Sequence, residues 1–132
     1  MARILFVDDE PLIREEAVQV LLRDGHKVVQ ASDGREAMRM LETVPVDIVI
    51  LDILMPNQDG LETIAQIREL NDDGKDVKII SISNGGNLKK KTAYLEWAKS
   101  FGADRVLPKP FSLSELRAAI DDITAESSPP SA

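Results

Sequence analysis

The stretch Ile48-Val49-Ile50-Leu51-Asp52-Ile53-Leu54-Met55-Pro56-Asn57-Gln58-Asp59-Gly60 decides how this chain is read. An apolar run of strand length delivers one carboxylate, Asp52, to its C-terminal end. The chain then breaks at Pro56 and turns at Asp59-Gly60. An unbroken apolar run marks a parallel strand buried on both faces, because crossover helices cover the sheet. In open α/β sheets ligands bind outside the carboxyl ends of the strands, which is where Asp52 falls. An Asp after a strand can also do no more than cap the next turn, so its companions decide the matter.

Toward the N-terminus, Arg3-Ile4-Leu5-Phe6-Val7 is a first strand ending in three acids, Asp8-Asp9-Glu10. Pro11 suits the first turn of a helix, whose apolar side is Ile13, Ala17, Val20 and Leu21, and Gly25 stops it. Lys27-Val28-Val29-Gln30-Ala31 is a more polar second strand that suits a sheet edge. Asp33 and Glu36 stand at capping-box spacing before a helix carrying Ala37, Met40 and Leu41.

Toward the C-terminus, Leu61, Ile64 and Ile67 give a third helix that runs to Leu70. A turn cluster at Asn71-Asp72-Asp73-Gly74 leads to a fourth strand, Val77 to Ile82, ending at Ser83. After the Asn84-Gly85-Gly86-Asn87 loop and the solvated Lys89-Lys90-Lys91 run, 92–101 reads as a fourth helix. It has one stripe at Leu95 and Ala98 and another at Tyr94, Trp97 and Phe101, so it either buries more than one side, the reading preferred here, or exposes aromatics to a partner. Arg105-Val106-Leu107 is a short fifth strand before Pro108-Lys109-Pro110. Ser112 and Glu115 form a capping box for a last amphipathic helix with Leu116, Ala119, Ile120 and Ile123. Residues 1–124 read as one domain, and 125–132 as a compositionally disordered tail.

Five βα units in an unbroken series imply an α/β fold, a parallel sheet with helices on both faces. The 132 residues suffice for one core, and a net charge of −7 argues against a nucleic-acid partner. There is no cysteine, no apolar run long enough to span a membrane, and no signal-peptide pattern, so a cytoplasmic protein is expected. The single histidine, His26, follows Asp24-Gly25 and reads as an exposed turn residue, which leaves histidine triads and histidine-rich metal sites out.

The strand ends carry the chemistry. Asp8 and Asp9 follow the first strand, Asp52 the third, Ser83 the fourth and Lys109 the fifth. In the flavodoxin-like order 2-1-3-4-5 the first and third strands are neighbours, and the three carboxylates converge. Crowded carboxylates call for a cation, and oxygen donors suit hard Mg²⁺. Lys109 and Ser83 would hold phosphoryl oxygens, and an Asp carboxylate can form an aspartyl phosphate. Adjacent acids before a helix also stabilise its N-terminus, a role that can coexist with metal binding.

In Val7-Asp8-Asp9-Glu10-Pro11, Leu51-Asp52-Ile53-Leu54-Met55-Pro56 with Asp59-Gly60, Ser83, Gly102-Ala103-Asp104 and Lys109-Pro110-Phe111, the chain resembles the CheY-like receiver domain of bacterial two-component response regulators. The resemblance covers residues 3 to about 124 and looks like a stand-alone receiver. It implies that Asp52 is the phosphoacceptor and that Asp8 and Asp9 hold Mg²⁺ together with Asp52 and the Leu54 backbone carbonyl. Lys109 would neutralise the phosphoryl group before a cis bond to Pro110, and the Ser83 hydroxyl would turn toward the phosphate. The donor would be a sensor histidine kinase or a histidine phosphotransfer protein. The output surface would be helix 4, strand 5 and helix 5. Such a protein is a signalling phosphoacceptor and not an enzyme.

Two departures from the family pattern stand out. Val106 replaces the usual aromatic three residues before the lysine, so an aromatic swinging inward cannot be the readout. Asn84 replaces the small residue after the hydroxyl position, and the Gly85-Gly86 loop looks longer than in chemotaxis-type members. The competing readings are a Mg²⁺-dependent phosphatase, a docking module without chemistry and a flavodoxin-type cofactor site. A phosphatase would want a second acid two residues after its nucleophile. Asp52 has Leu54 there, and Asp8 has Glu10, which Pro11 is expected to draw into the helix start.

Overall fold

The apolar runs form the strands expected of them. In the computed structural model, which describes residues 2–52, 60–70, 77–83, 96–108 and 111–127, β1 spans Arg3–Val7, β2 Lys27–Ala31, β3 Ile48–Asp52, β4 Lys78–Ser83 and β5 Arg105–Pro108. They form one parallel sheet of order β2-β1-β3-β4-β5. The polar β2 lies at an edge, as its composition suggests, while every residue of the central β3 is buried.

Strand alternation sorts the core into two layers. Ile4, Phe6, Ile48, Ile50, Ile80 and Ile82 face α1 (Pro11–Arg23) and α5 (Leu113–Ser127), meeting Leu21, Leu116 and Ile120. Leu5, Val7, Val49, Leu51 and Ile79 face the other way. They pack on Ala37 of α2 (Gly34–Thr43), Ile64 and Ile67 of α3 (Gly60–Leu70) and Ala98 of α4, helical at 96–101.

Local chemistry fixes the helix ends. Gly25 adopts φ 91, and the Gly25 and His26 amides donate to Leu22 and Leu21, which ends α1. Ser112 and Glu115 complete their reciprocal box: each backbone N–H donates to the other's side chain. At α2 only half the expected box forms. Glu36 N–H donates to Asp33 Oδ1 at 2.9 Å, but the Glu36 carboxylate accepts from the amide and hydroxyl of Ser32.

Two expectations need correction. His26 is half-buried, and its Nδ1 accepts the Ala2 amide at 3.0 Å, tying the start of β1 to the α1–β2 turn. Trp97 and Phe101 are 51% and 49% exposed, so these two aromatics are not core. A helix on one face of a sheet buries one stripe, and in α4 the fully buried Ala98 occupies it. α5 itself runs from Leu113 to Ser127. The Asn71–Gly74 turn, the Asn84–Asn87 loop, the Lys89–Lys91 run, Tyr94 and Leu95 lie outside the described residues.

Candidate functional site

Val7 pairs with Leu51, so Asp8 and Asp52 come next on adjacent strands at the carboxyl end of the sheet. The side-chain period of two puts Asp8 in phase with Ile4 and Phe6, and Asp52 in phase with Ile48 and Ile50. Both carboxylates therefore leave the sheet on the same side. Asp8 is 0% and Asp52 3% exposed, and each makes polar contacts. The chain leaves β1 and β3 in opposite directions here, β1 leading toward β2 and β3 toward β4, which opens the crevice of a topological switch point.

The third acid is Glu10. Its amide donates to Asp8 Oδ1 at 2.9 Å, closing a turn that brings residue 10 back over the strand end. Glu10 is the N-cap of α1, but its side chain makes no capping bond. Instead its carboxylate joins those of Asp8 and Asp52, with one oxygen from each lying within 4.8 Å of the others. Pro11 thus starts the helix at its own position without drawing the Glu10 side chain into it. Asp9 is exposed and is not in this cluster. Sequence reasoning chose the first two of three consecutive acids. The structure brings together the first and third, because the turn that Asp8 closes reaches residue 10.

The remaining expected site residues are described less fully. Ser83 ends β4 opposite Pro108, and only its backbone is described. Leu54, Lys109 and Pro110 lie outside the described residues. Val106 is half-buried and packs with the α2–α3–α4 layer, where the family's aromatic would have stood.

Three carboxylates gathered at a strand end repel one another, and the burial of Asp8 and Asp52 strengthens the repulsion although Glu10 is exposed. A divalent cation relieves it, and a donor set made only of oxygen fits a hard ion such as Mg²⁺ better than a soft one. The cluster can therefore hold a metal ion.

The fold and this acidic crevice together define a receiver. The family model for the response regulator receiver domain matches residues 4–121, and the chain belongs to that family. It is accordingly a signalling module of two-component systems. Response regulator MprA of Mycolicibacterium vanbaalenii is 37% identical over 127 residues, which cover 96% of this chain and 52% of that protein. The chain thus spans about half the length of the MprA relatives it matches. Among solved structures, chemotaxis response regulator CheY4 of Vibrio cholerae is 30% identical, with a TM-score of 0.80 over 93% of this chain and 98% of that one. TrrA of Thermotoga maritima, solved in complex with Mg²⁺-BeF, is 35% identical, with a TM-score of 0.76 over 93% of this chain and 99% of that one.

Proposed function

We propose that this receiver accepts a phosphoryl group on Asp52 in a Mg²⁺-dependent reaction and passes the signal on through protein contacts. The observation that carries the reading is the meeting of Asp8, Glu10 and Asp52 at the carboxyl ends of β1 and β3. The solved likeness to TrrA bound to Mg²⁺-BeF supports the same chemistry.

In the proposed transfer, an Asp52 carboxylate oxygen attacks the phosphorus of a phosphohistidine. The new O–P bond forms as the P–N bond breaks, and its electron pair returns to the imidazole nitrogen of the donor. Asp8, Glu10 and Asp52 would hold the metal ion, with the Leu54 carbonyl and Asp9, directly or through water, as its further ligands. A Mg²⁺ ion held there would supply charge neutralisation for the phosphoryl oxygens. Lys109 neutralises a further oxygen, and the Ser83 hydroxyl donates to the phosphorylated state. The donor is a sensor histidine kinase or histidine phosphotransfer protein in the cytoplasm. Residues 1–124 form the working unit.

The output surface is α4, β5 and α5, where Trp97 and Phe101 offer exposed aromatic area to a downstream protein. With Val106 on β5, the signal reaches that surface without an aromatic swing.

Incubation with a small acyl-phosphate donor tests the site. Label should appear only with Mg²⁺ and vanish in Asp52→Ala. Label that survives the substitution would reject the assignment. Sustained turnover of a phosphomonoester would favour a phosphatase built on Asp8 and Glu10 instead.

A further inference from the structure

Arg14, in the first turns of α1, touches the acidic turn at two points and belongs to none of the roles above. Its backbone N–H donates to the Glu10 carbonyl at 3.0 Å as the first bond of the helix. Its guanidinium reaches back, NH1 donating to the Asp8 carbonyl at 2.6 Å and Nε to Gln30 Oε1 on β2 at 3.1 Å. The Asp8 amide donates to the Ala31 carbonyl on β2 at 3.2 Å. The Asp8 peptide is thus held at both ends, by β2 on its N–H side and by Arg14 on its C=O side.

We infer that Arg14 is a positioning residue for the metal centre, holding the Asp8–Glu10 turn so that its two carboxylates stay gathered against Asp52. The inference rests on the metal-binding reading given above. Three like charges within 4.8 Å drive the turn that carries them apart, and Asp8 and Glu10 share one short turn. Arg14 opposes that opening from behind, through the Asp8 and Glu10 backbone carbonyls rather than through the carboxylates. The planar guanidinium can serve the Asp8 carbonyl and Gln30 at once, which a lysine ammonium on a flexible stem does less well. A cation near the cluster also disfavours Mg²⁺. Arg14 is only half-buried, however, so solvent screens that effect, while the loss of positioning acts directly on ligand geometry.

The test is Mg²⁺ titration by calorimetry of the folded chain and its variants, with thermal melting followed in parallel. Arg14→Gln should bind Mg²⁺ about tenfold more weakly, the lower end of what loss of an outer-shell partner costs. Arg14→Lys should recover part of that loss, and Gln30→Ala should show a smaller loss in the same direction. Mg²⁺ affinity in Arg14→Gln equal to or tighter than wild type would overturn the role of Arg14. If Arg14→Gln does not fold, unchanged affinity in both Arg14→Lys and Gln30→Ala overturns it equally. Failure of the metal reading itself looks different: the wild-type chain would take up no Mg²⁺, or would bind it equally well after Asp8→Asn.

Discussion

The two ends of the sheet handle charge in opposite ways. At the carboxyl end, Asp8, Glu10 and Asp52 bring charges of one sign together. At the amino end, opposite charges meet. Arg3 at the start of β1 grips Asp47 just before β3, with NH2 to Oδ1 at 2.9 Å and Nε to Oδ2 at 3.2 Å. Arg117 of α5 holds Asp24 at the end of α1. Arg68 at the end of α3 reaches the Val77 carbonyl before β4, the Gly102 carbonyl after α4 and Asp104 before β5. One end of the sheet is fastened by ion pairs, and the other gathers like charges that a cation could relieve. The difference shows where stability can be spent without loosening the frame that aims the acids.

The hardest test of this division is Arg68. Its guanidinium ties together two separate segments, the residue before β4 and the α4–β5 connection, and Asp104 Oδ2 also accepts the Ile79 amide at 2.8 Å. Arg68→Ala strips the Val77 and Gly102 carbonyls of their charged donor, so it should cost about 3 kcal/mol in denaturant melts. Mg²⁺ affinity measured on the folded variant should stay at the wild-type value. A parallel loss of metal binding would show that the ends are coupled and break the comparison.

The opposite substitution sharpens it. Asp52→Asn removes one of three crowded charges, so the metal-free variant should melt above wild type, by about 1 kcal/mol. Wild type should in turn gain about 2.7 kcal/mol from Mg²⁺ at a hundred times its dissociation constant, and the variant far less. Melting curves with and without Mg²⁺ read both effects. An acid whose loss stabilises the empty protein and abolishes its response to metal is held there for function.

These ends were not equally legible in the sequence. The strands, their order and the place of Asp52 follow from apolar runs and βα alternation, because parallel strands leave continuous patterns. That Glu10 lies beside Asp8 and Asp52 follows from the Asp8–Glu10 turn, whose hydrogen bond no pattern of three acids reveals. The signal that could have found it is the acid two positions after Asp8, followed by a proline that fixes where the helix begins. The amino-end pairs were invisible for a different reason. Arg68 and Asp104 are 36 residues apart, and Arg117 and Asp24 are 93 apart, so only the assembled sheet brings them together. Trp97 and Phe101 were misread because spacing shows a stripe but not which stripe faces the sheet.

Two glycines grade the amino end further. Gly102 adopts φ 121, and a Cβ there would lie 2.9 Å from Arg68 Cγ, on a side chain fixed by its own bonds. Gly25 adopts φ 91 with open space around it. Gly102→Ala should therefore cost about 2 kcal/mol and Gly25→Ala about 1 kcal/mol in the same melts. Equal costs would mean that the Arg68 stem yields freely, and that the clamp is looser than its bonds suggest.

The smallest effect concerns pH. The hydrogen bond from Arg3 holds the Asp47 carboxyl below its ordinary value, against some desolvation that pushes it up. A folded-state value below the unfolded one means that the unfolded chain takes up the proton first. The stabilisation is therefore complete above the ordinary carboxylate value of about 4 and is lost as pH falls through the lowered folded value. Both side chains are close to half exposed, so water and salt reduce the gain to a small one. Asp47→Asn should flatten the acid limb of the stability curve slightly at low ionic strength and leave it unchanged in high salt. Asp47 also accepts the Arg3 amide at 2.9 Å, and an Asn oxygen can keep that bond, so the variant isolates the charge. A large shift of the acid limb that persists in high salt would mean that the amino end depends on this exposed pair far more than its solvent access allows.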